Sequence, residues 1–141
     1  GACPSLLNVF CPNIPTLEYI DRRGFRQVVD SQWRKPVVFL INEYTRSGNE
    51  VLAYGAWKYR LGDLVGTPTA GAVLAGKPYL LADQTLLYLP VADVLVDGMR
   101  IEGAPIQPTV LCNYPLPYTN GKDTQLEQGV KVLLLKNRAT S

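Results

Sequence analysis

Histidine is absent from this chain of 141 residues. Its absence excludes a self-contained Ser-His or Cys-His catalytic triad and any histidine-ligated metal within these residues. Cysteine is scarce: Cys3, Cys11 and Cys112 show no Cys-x-x-Cys spacing, and their odd number suggests no disulfide framework. Buried thiols and a Cys3–Cys11 bridge both fit that arithmetic, so the redox compartment stays open. Long apolar runs are missing too. Val37-Val38-Phe39-Leu40-Ile41 is among the longest, far short of the ~20 residues a bilayer span needs. Gly1 to Phe10 lacks the basic start and the small-residue cleavage pattern of a secretory leader. A dominant charge is also lacking: 14 Lys plus Arg stand against 12 Asp plus Glu, interspersed, which gives no nucleic-acid footprint. What is present, 47% hydrophobic and 18% charged residues, predicts a folded chain with a sizeable core, and the length predicts one domain.

Along the chain, Pro4, Pro12 and Pro15 argue against a central strand or long helix in the first 35 residues. Phe25, Val28 and Val29 have partly helical spacing, so this stretch reads as a loop and a short helix. Val37–Ile41, introduced by Pro36, reads as a strand buried on both faces. Ser47–Leu61 has helical periodicity, with Gly62 as its stop, and Asp63–Gly66 reads as a returning strand. Strand, helix and strand in so short a span suggest a βαβ unit. From Tyr79 the period becomes two. Leu86–Leu89 and Val91–Val96 read as strands, and Asp97-Gly98 as a tight turn before Met99-Arg100-Ile101. Cys112–Gly121 reads as a loop. Thr124-Gln125-Leu126-Glu127 is a capping-box pattern opening a final helix with Leu126, Val130, Leu133 and Leu134 as its apolar stripe.

The segment from Asn42 to Glu50 lies where a buried strand ends and a helix begins, the usual place for ligand sites in open α/β sheets. A serine there sits in the positive end of a helix dipole beside backbone N–H groups that can stabilise an oxyanion, which suits acyl transfer. Read alone, Ser47-x-x-Glu50 is a capping box, and the plain N-cap is the favoured reading. Asp83, Asp93, Asp97 and Glu102 fit neither a calcium loop nor a glycosidase pair and read as solvent-facing. No Gly-Lys-Ser/Thr follows Gly62, Gly71 or Gly76, so no phosphate loop, cofactor or metal is expected.

The order of features beyond that point carries more. Pro36-Val-Val-Phe-Leu-Ile-Asn-Glu43, then Ser47-Gly-Asn-Glu50, then Leu64-Val-Gly-Thr-Pro-Thr-Ala-Gly71 resembles the serine-peptidase family of C-terminal processing and tricorn proteases. Asp97 to Gly103, Pro105-Ile-Gln-Pro108 and Asp123-Thr-Gln-Leu-Glu127 continue the likeness, which spans roughly Arg34 to Leu135. The resemblance implies an α/β fold of crotonase/ClpP-like βαβ units with a β-hairpin appendage and a C-terminal helix. It implies Ser47 as nucleophile and the Gly48 N–H as an oxyanion donor. The lysine base of processing proteases would stand at Ala72, and Lys77 reads as a solvated loop lysine. Tricorn-like members use an upstream histidine oriented by a carboxylate, and Gln107 stands where that carboxylate would be, a candidate orienter.

The expectation that follows is an irregular segment over residues 1–35 with a short helix, and the C-terminal part of a peptidase catalytic domain over residues 36–141. The implied partners are a polypeptide substrate, added as a strand near Ser47, and the rest of a parent protease chain that supplies the base. No nucleic acid and no membrane span are expected. The isolated chain is expected to be inactive, and the resemblance favours a periplasmic or secreted location over a cytoplasmic one. A noncatalytic binding module or pseudoenzyme of the same fold is the alternative, because position 72 is Ala and position 107 is Gln.

Overall fold

The computed structural model describes residues 3–10, 17–20, 22–29, 33, 35–114 and 120–139. Helix α1 (Cys3–Phe10) is followed by a small antiparallel hairpin of β1 (Leu17–Ile20) and β2 (Arg26–Val29). A helix stands instead at α1, among the prolines, where Pro4 lies in the first turn and interrupts no helical hydrogen bond. Val28 and Val29, whose spacing is partly helical, are instead strand residues, reached through Gly24 at φ +81°. The Cys11 arm of a Cys3–Cys11 bridge lies outside the described residues.

The centre of the molecule is a βαβ unit: β3 (Val38–Ile41), α2 (Gly48–Lys58) and β4 (Asp63–Gly66). Strands β3 and β4 pair in parallel, with Val38 beside Asp63 and Ile41 beside Gly66. Gly66 has φ +137°, and a Cβ there would stand 1.9 Å from the Ile41 carbonyl oxygen, so only glycine allows this approach. Ile41, Ala53, Ala56, Leu64 and Ile106 form the buried core, with Phe39, Tyr54 and Leu61 packed against it. Helix α1 covers this unit: Leu7 fills the space over Gly55, and Phe10 meets Phe39 edge-on at 5.3 Å between ring centres.

The helix stop differs from expectation. Arg60, at φ +54°, takes the left-handed position, with Arg60 N–H donating to Trp57 and Leu61 N–H to Ala56. That pair of bonds is a Schellman motif, two residues before Gly62. Gly62 serves packing instead, since a Cβ there would stand 2.2 Å from the Val37 carbonyl oxygen.

Next come β5 (Ala75–Leu80) and β6 (Leu86–Ala92), a long antiparallel ribbon exposed along nearly its whole length. Strand β6 runs through Pro90, where the sequence suggests a break. Pro90 lies opposite Gly76 beside a register shift, and a two-stranded ribbon tolerates a missing N–H at its edge. The pair β7 (Leu95–Val96) and β8 (Met99–Arg100) is joined by Asp97-Gly98, both at positive φ, as the turn chemistry requires. Strand β9 (Val110–Leu111) adds in parallel to β4, giving the order β3-β4-β9. Two residues are too few for any periodicity to betray it.

Helix α3 (Thr124–Ala139) packs on the sheet through buried Gln125 and Gly129, with Gly129 set against Leu40. Its cap is Asp123, whose Oδ1 accepts Leu126 N–H at 2.9 Å, while the Thr124 hydroxyl donates to the Asn113 carbonyl. Leu126, Val130 and Leu134, expected to face the core, are exposed, because close approach at Gly129 turns the small-residue side inward. Leu40 is likewise 43% exposed, so β3 is not buried on both faces: among the described residues it is one of the sheet's two edges, and α3 covers it only in part. No described helix is long and apolar enough to cross a membrane.

Candidate active site

Strand β3 ends in a braced loop. Asn42 N–H donates to Thr45 Oγ1, Thr45 N–H returns to the Asn42 carbonyl, and Asn42 Oδ1 accepts Tyr44 N–H. The Thr67 hydroxyl donates to Glu43 Oε2 at 2.9 Å, tying the end of β4 to the same loop. This loop delivers Ser47 to the first turn of α2.

Ser47 occupies the N-cap position but does not cap. Its backbone stands at φ 54°, ψ −124°, the geometry of the first central residue of a type II′ turn, and its side chain makes no capping hydrogen bond. Glycine dominates that conformation, and a residue with a Cβ there costs about 1–3 kcal/mol, a cost usually met at functional sites. The serine is exposed. A strained strand-to-helix turn that presents an uncommitted hydroxyl is the design of a nucleophile elbow.

Glu50, the would-be partner in a capping box, turns the other way. It is fully buried, and its carboxylate accepts the Thr69 hydroxyl at 2.6 Å, Gly71 N–H at 2.7 Å and Ala72 N–H at 2.7 Å. Thr69 Oγ1 in turn accepts Ile106 N–H at 2.8 Å. The turn so fixed closes on the serine: Ser47 N–H donates to the Ala72 carbonyl at 2.8 Å, and Ala70 N–H to the Thr45 carbonyl at 3.1 Å. Glu50 thus joins the helix that begins beside Ser47 to the turn that holds Ser47. Glu102 works similarly one step out, accepting Val73 and Leu74 N–H groups, so it is not the solvent-facing carboxylate its sequence position suggests.

Position 72, where processing proteases would carry the base, is in direct backbone contact with Ser47 and is Ala. Lys77 lies on β5, exposed, with its ammonium 5.5 Å from the Tyr79 ring centre. Gly48 is the first residue of α2, directly after the serine, where helix N–H groups and the dipole favour negative charge. Gln107 is exposed, and its Nε2 donates to the Pro105 carbonyl at 3.2 Å. It lies on the wall of an apolar cavity of about 340 Å³ with Trp57, Met99 and Ile106, walls that do not include Ser47. A smaller cavity of about 200 Å³ flanks the serine loop, between Phe39, Leu40 and Ile41 of β3 and Thr45, Asn49 and Leu52. Among the described residues no three Cys, Asp or Glu side chains gather as metal ligands.

A parallel βαβ unit with a strained serine at the strand-to-helix turn defines the class: an α/β chain with its candidate site at the C-terminal end of a parallel strand. The chain belongs to peptidase family S41, whose family model matches residues 3–112. It is 32% identical over 104 residues to a tricorn protease homolog of Saccharolobus solfataricus, covering 71% of this chain and 10% of that protein. It is 29% identical over 122 residues to a putative tricorn-like protease C-terminal subunit of Sulfurisphaera tokodaii, covering 82% of this chain and 14% of that protein. The chain therefore spans about a tenth of the length of these curated relatives. A crystal structure of the tricorn protease aligns at a TM-score of 0.65 and 26% identity over 88% of this chain and 13% of that one. The photosystem II D1 C-terminal processing protease aligns at 0.59 and 23% identity, over 94% of this chain and 34% of that one, and shares the fold.

Proposed function

We propose that this chain is the nucleophile-bearing part of a serine endopeptidase that cleaves polypeptides through an acyl-enzyme on Ser47. The observation that carries this reading is the backbone of Ser47, held at φ 54° by the Ala72 carbonyl, with a hydroxyl that serves no cap. Ser47 Oγ attacks the scissile carbonyl carbon and yields its proton to a general base. The tetrahedral oxyanion collects beside the Gly48 N–H, the amine leaves with a proton from the base, and water releases the acyl group. The base, a histidine upstream in the parent protease, is supplied from outside these residues, since the chain has none. Gln107 orients that imidazole through its amide oxygen, as an acceptor without charge. The substrate adds as an extended strand along β3, the sheet edge beside Ser47. Following the family likeness, the parent works in the periplasm or outside the cell.

The test is labelling by a fluorophosphonate. The intact parent should label at Ser47 and lose labelling in Ser47→Ala, and the isolated chain should neither label nor turn over casein. Robust turnover by the isolated chain refutes the supplied base. Ala72 favours a second reading, a pseudoenzyme of the same fold, and that reading is selected if the intact parent fails to label. Ala72→Lys in the parent separates the two kinds of base: rescue of casein cleavage identifies a disabled lysine enzyme.

A further inference from the structure

Strands β5 and β6 form a ribbon that no third strand joins among the described residues. Side chains alternate across such a ribbon, and residues opposite one another share a face. The register sets Leu80 opposite Leu86, Pro78 opposite Tyr88 and Gly76 opposite Pro90, so these six make one face. Lys77, Tyr79, Leu87 and Leu89 lie on the other. The two faces differ in chemistry and in cover. On the lysine face, Tyr79, Leu87 and Leu89 are 39–42% exposed, and the Lys77 ammonium lies 5.5 Å from the Tyr79 ring centre. On the other, Leu80, Leu86 and Tyr88 are 73%, 64% and 65% exposed, and none of the six residues is charged. That face also has relief. A Cβ at Gly76 would stand 2.0 Å from the Tyr88 ring, so the ring lies across the glycine as a low plate. Leu80 and Leu86, at the turn end, stand as a ridge. The ribbon's edges suit a partner poorly. Pro78 and Pro90 have no N–H, and proline fits a ladder only where that group would point outward, so each outer edge lacks a donor. Strand addition is disfavoured there, and a partner must come to the face.

We propose that the Leu80–Leu86–Tyr88 face is the contact between two copies of this chain, stacked face to face about a two-fold axis. The relief is self-complementary. With the two ribbons antiparallel, the leucine ridge of each copy rests on the tyrosine plate of the other, an isologous contact that closes as a dimer. A match between the two ends of one face is what a two-fold contact requires, and a foreign partner has no need of it. The uncharged face buries no like-charge repulsion against its own copy. With Pro78 and Pro90, these side chains offer roughly 500 Å² per copy, so the pair buries about 1,000 Å², the least a specific interface needs and the range of weak, reversible dimers. A lone two-stranded ribbon is marginal in water, and pairing turns it into a four-stranded sandwich with an apolar interior. The contact does not depend on the chemistry at Ser47.

Sedimentation equilibrium of the 141-residue chain should show the apparent mass doubling as concentration rises through the micromolar range, and no further growth. Leu86→Lys puts a charge in the buried face and should weaken the dimer about tenfold or more. Leu89→Lys, the same change on the opposite face, should leave it intact. Circular dichroism checks that both variants fold. Hydroxyl-radical footprinting of the unaltered chain decides the matter if they do not: Leu80, Leu86 and Tyr88 should lose labelling several-fold as the dimer forms, while Leu87 and Leu89 keep theirs. A chain that stays monomeric to ~1 mM overturns the proposal. Growth beyond a dimer, a dimer that folded Leu86→Lys leaves intact, or protection of the lysine face also overturns it. A monomeric chain whose Leu80, Leu86 and Tyr88 are protected only in the intact parent assigns the face to the remainder of the parent and refutes the two-copy contact.

Discussion

Replacing Ser47 by glycine should stabilise the chain. A serine at an ordinary N-cap accepts a hydrogen bond from the first turn, and its loss to alanine costs about 1 kcal/mol, to glycine a few tenths. Ser47 has no such bond to lose. What it has is a Cβ in the conformation at φ 54°, ψ −124°, worth about 1–3 kcal/mol of strain. Glycine removes that strain and gives back about 0.4–1 kcal/mol through the greater freedom of its unfolded chain. The net expectation for Ser47→Gly is a gain of about 0.5–2 kcal/mol, or very roughly 2–6 °C in Tm at this chain length. Ser47→Ala keeps the Cβ and loses no bond, so it should lie within about 0.5 kcal/mol of the parent sequence. Urea unfolding with unchanged m-values gives the ranking directly: glycine above serine and alanine, which are equal. The opposite result, with alanine about 1 kcal/mol below serine and glycine between them, is the signature of a working cap. It would remove the argument that this backbone is held for chemistry.

Glu50→Gln keeps the shape but turns an NH₂ toward one of three donors, so about 2–4 kcal/mol should be lost. A loss below ~1 kcal/mol in urea unfolding would show that the carboxylate does not organise the turn around Ser47. Gly66→Ala drives a Cβ into the Ile41 carbonyl at a φ that side chains rarely adopt, and should cost ~3 kcal/mol or more, or prevent folding. A Tm within a few degrees of the parent refutes the parallel register drawn at β3 and β4. At the far end of α2, Asp97 Oδ2 accepts Lys58 Nζ at 2.8 Å and Tyr59 Oη at 2.5 Å. The hydrogen bond to Asp97, then desolvation, raises the Tyr59 hydroxyl above its ordinary value, and the hydrogen bonds from Lys58 and Tyr59 lower Asp97. Asp97's contribution is therefore present above its ordinary carboxylate range and lost as pH falls through its lowered value. Those of Lys58 and Tyr59 are present below their ordinary ranges and lost as pH rises through their raised values. Absorbance titration should find that the Tyr59 ionisation moves to lower pH in Asp97→Asn. An unchanged titration in that variant shows the clamp to be absent in solution.

How much of this was legible without coordinates depends on how local each signal is. The βαβ unit was readable because β3, α2 and β4 carry their own periodicity, and the turn at Asp97-Gly98 because turn chemistry is written in the turn itself. The start of α1 and the cap of α3 were less so, since Pro4 signals a helix start as well as a break, and Asp123 and Thr124 are both good caps in adjacent positions. The orientation of α3 was not readable, because three leucines and one valine at helical spacing name an apolar face without naming what covers it, and the choice was made by Gly129 against Leu40. The site divides the same way. Its candidate nucleophile, Ser47, was singled out by the order of motifs, but the letters Ser-x-x-Glu serve a capping box and a buried turn-holding carboxylate equally well. Only the fold separates them, because the donors that claim Glu50 come from residues 69–72, on the far side of a strand. Once those donors claim the carboxylate, the box cannot form, and Ser47 is left in its strained turn with its hydroxyl outward. The feature that makes the serine look structural in sequence is thus the one that, in three dimensions, leaves its hydroxyl without a capping role.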